Sequence, residues 1–189
     1  MSLQNIINKT DWSKISGRTL IIVDLETTGF NEKEDIILEI GAVKLCEGMD
    51  TPETFSRIIK TSRIIPEEIT ELTGISNNLI DKEGVPFYEA IGDFKEFIGT
   101  NDFNAYNAKF DVKFIKALTN KYNIKFDNYG GCTMLLCRKA FALKGMKLKD
   151  VAEHLNIENT NAHRSIPDCL TTLECHLHAL VEIRNTPKQ

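Results

Sequence analysis

The strongest restriction on the fold comes from a short apolar segment, residues 19–24, which reads Thr-Leu-Ile-Ile-Val-Asp. Gly17 precedes this segment and Thr27-Thr28-Gly29 follow it, so turn-forming residues bound it on both sides. β-Branched segments of this kind are typical of strands in the centre of a sheet. Asp24 stands out, because an unpaired carboxylate costs several kcal/mol to bury in such a strand. The segment therefore predicts a central strand that ends in a residue with a chemical role.

Two more apolar runs, residues 36–45 and 54–59, are joined by the polar stretch 47–50 and predict a β-hairpin. Together with the first strand they give three antiparallel strands in a row. Further along, apolar residues recur at spacings of three and four, which predicts helices. The predicted helices cover residues 66–72, 86–98, 111–122, 134–141, 147–155 and 168–183, with a short strand at 102–106. This order indicates an α/β domain in which helices flank a mixed central sheet.

The composition is that of an ordinary globular domain. The chain has 189 residues, 42% of them hydrophobic, and it contains no internal repeat or low-complexity linker. No run approaches the roughly 18 apolar residues of a membrane span, and residues 1–12 lack the features of a signal peptide. We therefore expect a cytoplasmic protein without membrane contact. The five cysteines show neither zinc-site nor disulfide spacing and are expected to be buried, reduced thiols.

Asp24 and Glu26 lie two positions apart at the end of the first predicted strand. Side chains at this spacing point to the same face, about 7 Å apart, and such a pair can hold a divalent cation. The same pattern recurs at Asp81 and Glu83, but we place that copy in a polar loop and expect it to be only solvated. The apolar context of Asp24, rather than the pattern itself, singles out the first pair.

Three further residues complete a candidate site. Asp111 begins a predicted helix directly after the short strand, where a helix cap explains it equally well. His163 and Asp168 are five positions apart and would point about 140° apart on one continuous helix. Pro167 favours a helix start between them, which leaves His163 on the preceding loop as a candidate general base. The other histidines are expected to be ordinary packed or surface residues: His154, His176 and His178.

These carboxylates predict a metal site if they meet in the fold. Clustered carboxylates repel one another and take up protons unless cations neutralise them. Oxygen ligands without cysteine favour Mg²⁺ or Mn²⁺ over zinc. Two such ions about 3.5–4 Å apart can stabilise both the attacking and the leaving oxygen of a phosphodiester displacement.

Five motifs occur in order along the chain: Asp24-Leu25-Glu26-Thr27-Thr28-Gly29, Glu39-Ile40-Gly41-Ala42-Val43, Leu72-Thr73-Gly74-Ile75, Asn107-Ala108-Lys109-Phe110-Asp111 and His163-Arg164-Ser165-Ile166-Pro167-Asp168. Together they resemble the DEDD exonucleases of the histidine subtype, the group that includes the proofreading epsilon subunit of bacterial DNA polymerase III. The match runs from about residue 19 to residue 183. The resemblance implies a ribonuclease H-like fold and a 3′→5′ exonuclease that releases nucleoside 5′-monophosphates.

The resemblance also implies a role for each matching residue. Two divalent cations, Mg²⁺ or Mn²⁺, would be held by four carboxylates: Asp24, Glu26, Asp111 and Asp168. His163 would deprotonate the attacking water. The terminal nucleotide would be held by six residues: Thr27, Thr28, Gly29, Phe30, Asn107 and Phe110. For Phe30, a hydrophobic plug under its own loop is the alternative to a contact with a base.

The resemblance divides the chain into an N-terminal extension at 1–18, an exonuclease domain at 19–184 and a C-terminal tail at 185–189. Departures from the family pattern occur at three places. Small residues usually flank the last aspartate of the family, whereas Pro167 and Cys169 flank Asp168 here. Tyr106 stands where histidine is frequent, and Cys132 stands where aspartate is frequent, which puts a supporting hydrogen bond in doubt.

The net charge of −4 argues against a protein that holds nucleic acid by bulk electrostatics. The charge is uneven, because residues 1–100 carry 10 basic and 18 acidic side chains, and residues 101–189 carry 13 and 9. Two lysine-rich stretches of the second half, 109–125 and 138–149, are candidates to follow a phosphate backbone or are merely solvated helix faces.

The preferred substrate is the 3′ end of single-stranded or frayed DNA, in replication proofreading or repair, and a DNA polymerase is a candidate partner. Sequence does not separate DNA from RNA, because the contact that distinguishes them is a matter of geometry. Two other hypotheses stay open. One is a non-catalytic nucleic-acid-binding module of the same fold, and the other is an endonuclease, which would give His163 no role.

Overall fold

The computed structural model of the protein describes residues 2–159 and 161–186. The strands are β1 (Thr19–Thr27), β2 (Ile37–Cys46), β3 (Glu53–Ile58) and β4 (Asn104–Ala105). The helices are α1 (Leu3–Lys9), α2 (Glu67–Thr73), α3 (Asn77–Glu83), α4 (Phe87–Ile98), α5 (Ala108–Lys121), α6 (Thr133–Ala140), α7 (Leu148–Leu155) and α8 (Ser165–Asn185). Two short 3₁₀ turns, Trp12–Lys14 and Ser16–Arg18, precede β1.

The four strands form one sheet in the order β3-β2-β1-β4. β1 pairs antiparallel with β2, and β2 pairs antiparallel with β3. β4 runs parallel to β1 on its other side. The predicted mixed sheet, with its first three strands antiparallel and β1 inside it, is therefore confirmed.

Helices cover both faces of the sheet. Successive residues of β1 point to opposite faces, so the two sets of side chains pack against different helices. Ile21 and Val23 belong to an apolar core shared with α4 and α5. Leu20 and Ile22 belong to a second core shared with α1 and α8. The carboxyl end of β1, which carries Asp24 and Glu26, lies beside the first turns of α5 and α8.

Two short helices, α1 and α3, lie outside the predicted elements. Each has seven residues, too few to show a clear apolar period. Asp81 lies on α3, so its predicted place in a loop is wrong. Its carboxylate is exposed and pairs with Lys60 at 3.1 Å, which agrees with the predicted solvated role.

Helix α8 begins at Ser165, earlier than the predicted residue 168, and holds Pro167 in its first turn. It ends at Asn185 with Thr186 as its C-cap. The sequence also indicates a helix end at Thr186-Pro187, and Pro187 lies outside the described residues. No helix in the described part of the chain is long and apolar enough to cross a membrane.

All five cysteines are free thiols, as predicted. Three of them are buried, and these are Cys137, Cys169 and Cys175. Cys46 and Cys132 are only partly buried, which corrects the prediction for these two.

Candidate active site

Three of the predicted carboxylates meet at the end of β1. Asp24 and Glu26 point to the same face of this strand, and Asp168 reaches them from the first turn of α8. Asp24, Glu26 and Asp168 each offer one carboxylate oxygen, and these three oxygens all lie within 4.8 Å of one another. This is the spacing at which oxygen ligands can share a cation.

Asp111 joins the same group from the first turn of α5, where its side chain is buried. Burial raises the pKa of Asp111 to about 7, although backbone amides, including that of Leu25, oppose the shift. Burial also raises the pKa of Asp24 well above its ordinary value, and the charges of Asp111 and Glu26 raise it further. The structure therefore brings the four predicted carboxylates close enough for their charges to interact.

Glu26 is likewise buried close to other negatively charged side chains. Burial, together with the charges of Asp168 and Glu39, raises its pKa to about 7, and the nearby Arg164 lowers it only in part. Carboxylates in this condition are stabilised by a cation among them. The ligands are all oxygen atoms, so the residues present fit a hard divalent cation.

His163 lies on the loop before α8, off the helix as predicted. Its backbone adopts a left-handed conformation with φ of 65°, and its side chain is exposed. The backbone N–H of His163 donates a hydrogen bond of 3.0 Å to Oδ2 of Asp168, and the side-chain amide of Asn159 donates to Oδ1. These two contacts orient the Asp168 carboxylate and fix the loop that carries the imidazole.

Glu39 is a site residue to which the sequence analysis gave no role. It faces Glu26 in the pairing of β1 with β2, and only 2% of it is exposed. Its carboxylate accepts hydrogen bonds from the guanidinium of Arg164 at 3.2 and 3.3 Å, from Ser165 N at 3.2 Å and from Ser56 Oγ at 2.7 Å. Burial opposes ionisation, but these donors outweigh it and lower the pKa of Glu39.

A signal for Glu39 was present in the sequence, because this residue interrupts an apolar run just as Asp24 does. The hydrogen bonds of Glu39 hold the loop of His163 and the start of α8 against the sheet. Asn159 gave no comparable signal, since a single amide in a polar stretch is unremarkable.

The hydroxyl groups of Thr27 and Thr28, where β1 leads into the next loop, are hydrogen-bonded within the protein. Thr27 Oγ1 donates to the carbonyl of Gly29 at 2.6 Å, and Thr28 Oγ1 donates to Asp35 at 3.0 Å. A side chain at Gly29 would collide with the carboxylate of Asp35. These contacts fix the shape of the loop after β1.

Phe30, at the tip of this loop, is 84% exposed, so the interpretation as a buried plug is wrong. Its ring lies edge-on to that of Phe110 with 6.1 Å between centroids, and its carbonyl accepts a hydrogen bond from Lys113. Asn107 is exposed at the N-cap of α5, and its side chain makes no capping bond. The predicted nucleotide-holding residues Phe30, Phe110 and Asn107 thus lie on α5 and the adjoining loop.

Two of the departures from the family pattern, Tyr106 and Cys132, form hydrogen bonds within the protein. The hydroxyl of Tyr106 donates to the carbonyl of Met146 at 2.8 Å, and Cys132 Sγ donates to the carbonyl of Tyr106 at 3.2 Å. Thr133 Oγ1 is hydrogen-bonded to Nδ1 of His176 at 2.9 Å inside the protein. His176 is therefore packed, as predicted.

Much of the first lysine-rich stretch is engaged within the protein. Lys113 pairs with Glu32 at 3.1 Å, and Lys125 pairs with Asp127 at 3.5 Å. Lys116 lies 4.4 Å from the centroid of the Tyr129 ring. The charge that this stretch offers to a phosphate backbone is smaller than its lysine content indicates.

Comparison with known proteins shows the family to which the chain belongs. The family model for Exonuclease, of the ribonuclease T type, matches residues 21–175. The chain is 36% identical over 168 residues to the DNA polymerase III subunit epsilon of Aquifex aeolicus, which covers 87% of this chain and 82% of that protein. It is 40% identical over 156 residues to the PolC-type DNA polymerase III of Clostridium perfringens, which covers 82% of this chain and only 11% of that larger protein.

A solved structure shows the same fold. The nuclease domain of 3′hExo, a DEDDh family member bound to rAMP, superimposes with a TM-score of 0.70 at 17% identity, covering 86% of this chain and 92% of that one. The predicted ribonuclease H-like fold is therefore confirmed. On the family match and the identity to epsilon, the chain belongs to the exonuclease family and is a 3′→5′ exonuclease.

Proposed function

We propose that this exonuclease removes nucleotides from the 3′ end of single-stranded or frayed DNA in replication proofreading or repair, and that it uses two divalent cations, Mg²⁺ or Mn²⁺. The observation that carries the proposal is the meeting of Asp24, Glu26 and Asp168 beside the buried Asp111. The likeness to DNA polymerase III subunits supports DNA as the substrate and a polymerase as a partner.

The cations would be held by the four carboxylates, of which Asp24 is central because the charges of all three others raise its pKa. When bound, they supply positive charge to the attacking and leaving oxygens of the phosphodiester. Asp111 and Glu26 ionise only with difficulty in their buried positions, so cation binding releases their protons near neutral pH.

His163 would act as the general base that takes the proton from the attacking water. Its exposed imidazole can reach solvent, and its backbone is tied to Asp168. The leaving group is the 3′ oxygen of the penultimate nucleotide, and the product is a nucleoside 5′-monophosphate.

The terminal nucleotide would lie between the loop after β1 and the start of α5. Backbone groups of residues 27–29 would hold its phosphate and sugar, and Asn107 would contact it from the N-cap of α5. Phe30 and Phe110 would support or wedge the base, since stacking on an aromatic ring contributes about 1–3 kcal/mol per base in single-strand binders. These residues fall within the proposed catalytic domain, residues 19–184.

Side-by-side digestion of matched DNA and RNA oligonucleotides tests the proposed substrate. Each sequence is offered as a free single strand, as a full duplex and as a duplex with a mismatched 3′ end. We expect the single strand and the mismatched DNA to be shortened faster than the full duplex. Faster digestion of RNA would replace DNA by RNA in the proposal, and cleavage of circular single strands would indicate an endonuclease.

A further inference from the structure

A second surface feature lies next to the candidate site. A groove of about 560 Å³ runs between the start of β2, the segment after β3, the start of α4 and the end of α5. Its charged lining residues are all basic in the described part of the chain: Lys60, Arg63 and Lys121. This stands out because the first hundred residues carry a large excess of acidic side chains.

Two of these three cations are not paired with a carboxylate of the described residues, and Lys121 Nζ lies 5.8 Å from the centroid of the Tyr122 ring. Lys60 is paired with Asp81 at 3.1 Å. Arg63 and Lys121 are exposed, and neither takes part in an ion pair with the residues that the structure describes. Within the described part of the chain, the guanidinium of Arg63 donates a hydrogen bond only to the carbonyl of Glu34. The groove therefore has uncompensated positive charge.

The groove also carries two exposed aromatic rings. Tyr88 is 64% exposed on α4, and Tyr122 is 48% exposed at the end of α5. Tyr122 is held in place by Phe87, with 5.5 Å between ring centroids and 28° between ring planes. Cationic side chains beside exposed aromatic rings are the combination by which proteins bind single-stranded nucleic acid.

The groove adjoins the loop that is proposed to hold the terminal nucleotide. Ile36 and Ile37 form one of its walls. Ile36 accepts a hydrogen bond of 3.0 Å from the backbone of Thr28, and Ile37 faces Thr27 in the strand pairing. A strand that leaves the site across this loop meets the groove next.

We propose that this groove is a second contact site for the substrate strand, in which Tyr88 and Tyr122 stack on bases and Arg63 and Lys121 bind phosphates upstream of the nucleotide being removed. The proposal rests on the proposed function, because it assumes a nucleic-acid strand in the neighbouring site. Such a site holds long strands more tightly than short ones and keeps a strand in place between successive cuts.

The test compares the wild-type chain with the double variant Tyr88→Ala/Lys121→Ala. One measurement is the Kd for a fluorescent 15-nucleotide oligo-dT in the absence of divalent metal. The other is Mg²⁺-dependent hydrolysis of thymidine 5′-(p-nitrophenyl phosphate), which is too small to reach the groove. We expect the Kd of the double variant to rise about tenfold, since a lost base stack and a lost phosphate contact weaken binding by this order.

Hydrolysis of the small ester should remain at the wild-type rate, and the salt dependence of oligo-dT binding should lose a slope of about 0.7, one single-strand phosphate contact. The variant Tyr88→Phe/Lys121→Arg keeps the rings and the charge and should keep the affinity. Lys14→Ala, which removes an exposed lysine near the opposite end of β1, should also keep it.

An unchanged Kd in Tyr88→Ala/Lys121→Ala would contradict the proposed role of the groove. An equal loss of oligo-dT affinity in Lys14→Ala would contradict it as well. Failure of the wild-type chain to hydrolyse the ester would instead contradict the proposed function. The two failures are therefore distinguishable.

Discussion

Arg164 and Glu39, which are 125 positions apart in the sequence, form an ion pair with 3.2 Å between the guanidinium nitrogen and the carboxylate oxygen. Glu39 is nearly inaccessible, and about a third of the Arg164 side chain is exposed. Arg164 directly follows His163, and Glu39 directly faces Glu26. This pair therefore joins the loop of the candidate base to β2, the neighbour of the strand that carries Asp24 and Glu26.

The variant Arg164→Ala is expected to lower the free energy of unfolding by about 2–4 kcal/mol, because it leaves the carboxylate of Glu39 buried without its partner. Urea denaturation measures this change. The matched control is Arg18→Ala, whose pair with Glu47 has both side chains largely exposed and should contribute at most about 1 kcal/mol. Equal losses in the two variants would contradict the structural role of the Arg164 pair.

The variant Gly41→Ala is expected to damage both stability and activity. Gly41 faces Asp24 in the strand pairing, and a Cβ at this position would collide with the side chain of Ser165. Forcing α8 away from β2 should cost about 1–3 kcal/mol in urea denaturation and should displace Asp168. Gly92→Ala is the control, since it meets open space on α4 and should be neutral or stabilise by up to about 1 kcal/mol.

The variant His163→Ala is expected to lower kcat by roughly 10²–10⁴, the range for a lost general base, while Mg²⁺ binding stays nearly intact. Steady-state kinetics and Mg²⁺ titration by calorimetry measure the two effects separately. His154→Ala, which alters an exposed residue of α7, should leave both unchanged. Weakened Mg²⁺ binding in His163→Ala would make His163 a metal ligand and remove its proposed role as base.

The metal-free protein is expected to lose stability as the pH rises from about 4 to about 7. The pKa values of Glu26 and Asp111 are raised by burial to about 7 from ordinary values of 4.5 and 3.8. Between these limits the folded chain holds protons that the unfolded chain has lost, so the free energy of unfolding falls with rising pH. Thermal unfolding across this range measures the effect.

Mg²⁺ should reverse this loss, since cations bind the ionised carboxylates. We expect Mg²⁺ to raise the Tm more at about pH 8 than at about pH 5. Asp24→Ala should show little Mg²⁺ effect at either pH. A Tm shift of the wild-type chain that is the same at both pH values would contradict the linkage of metal to these carboxylates.

The sequence predicted the elements whose signals are local. β1 is a β-branched run bounded by turns, and α4 repeats its apolar residues at helical spacing. Asp24 and Glu26 were recognised because a carboxylate in an apolar strand requires an explanation. The same reasoning, applied to Glu39, would have found another residue of the site.

Other features depend on contacts between distant parts of the chain. The partners of Glu39 lie on another strand and at the start of α8, and no local pattern connects them. Helix α1 is too short to show an apolar period, and its Ile6 and Ile7 are buried in a core that also contains Leu173 and Leu177 of α8. The exposure of Phe30 was likewise a property of the folded loop rather than of the sequence.

The central claim is that the carboxylates around Asp24 hold the metal for cleavage from the 3′ end. The most direct test is digestion of a 5′-labelled DNA single strand with and without Mg²⁺ or Mn²⁺ by the wild-type chain, Asp24→Ala and Asp81→Ala, the last altering the exposed Asp-x-Glu copy on α3. The account predicts a metal-dependent ladder that shortens from the 3′ end for wild type and Asp81→Ala, and no ladder for Asp24→Ala. An undiminished ladder in Asp24→Ala, or no cleavage of DNA or RNA by the wild-type chain with either metal, would contradict it.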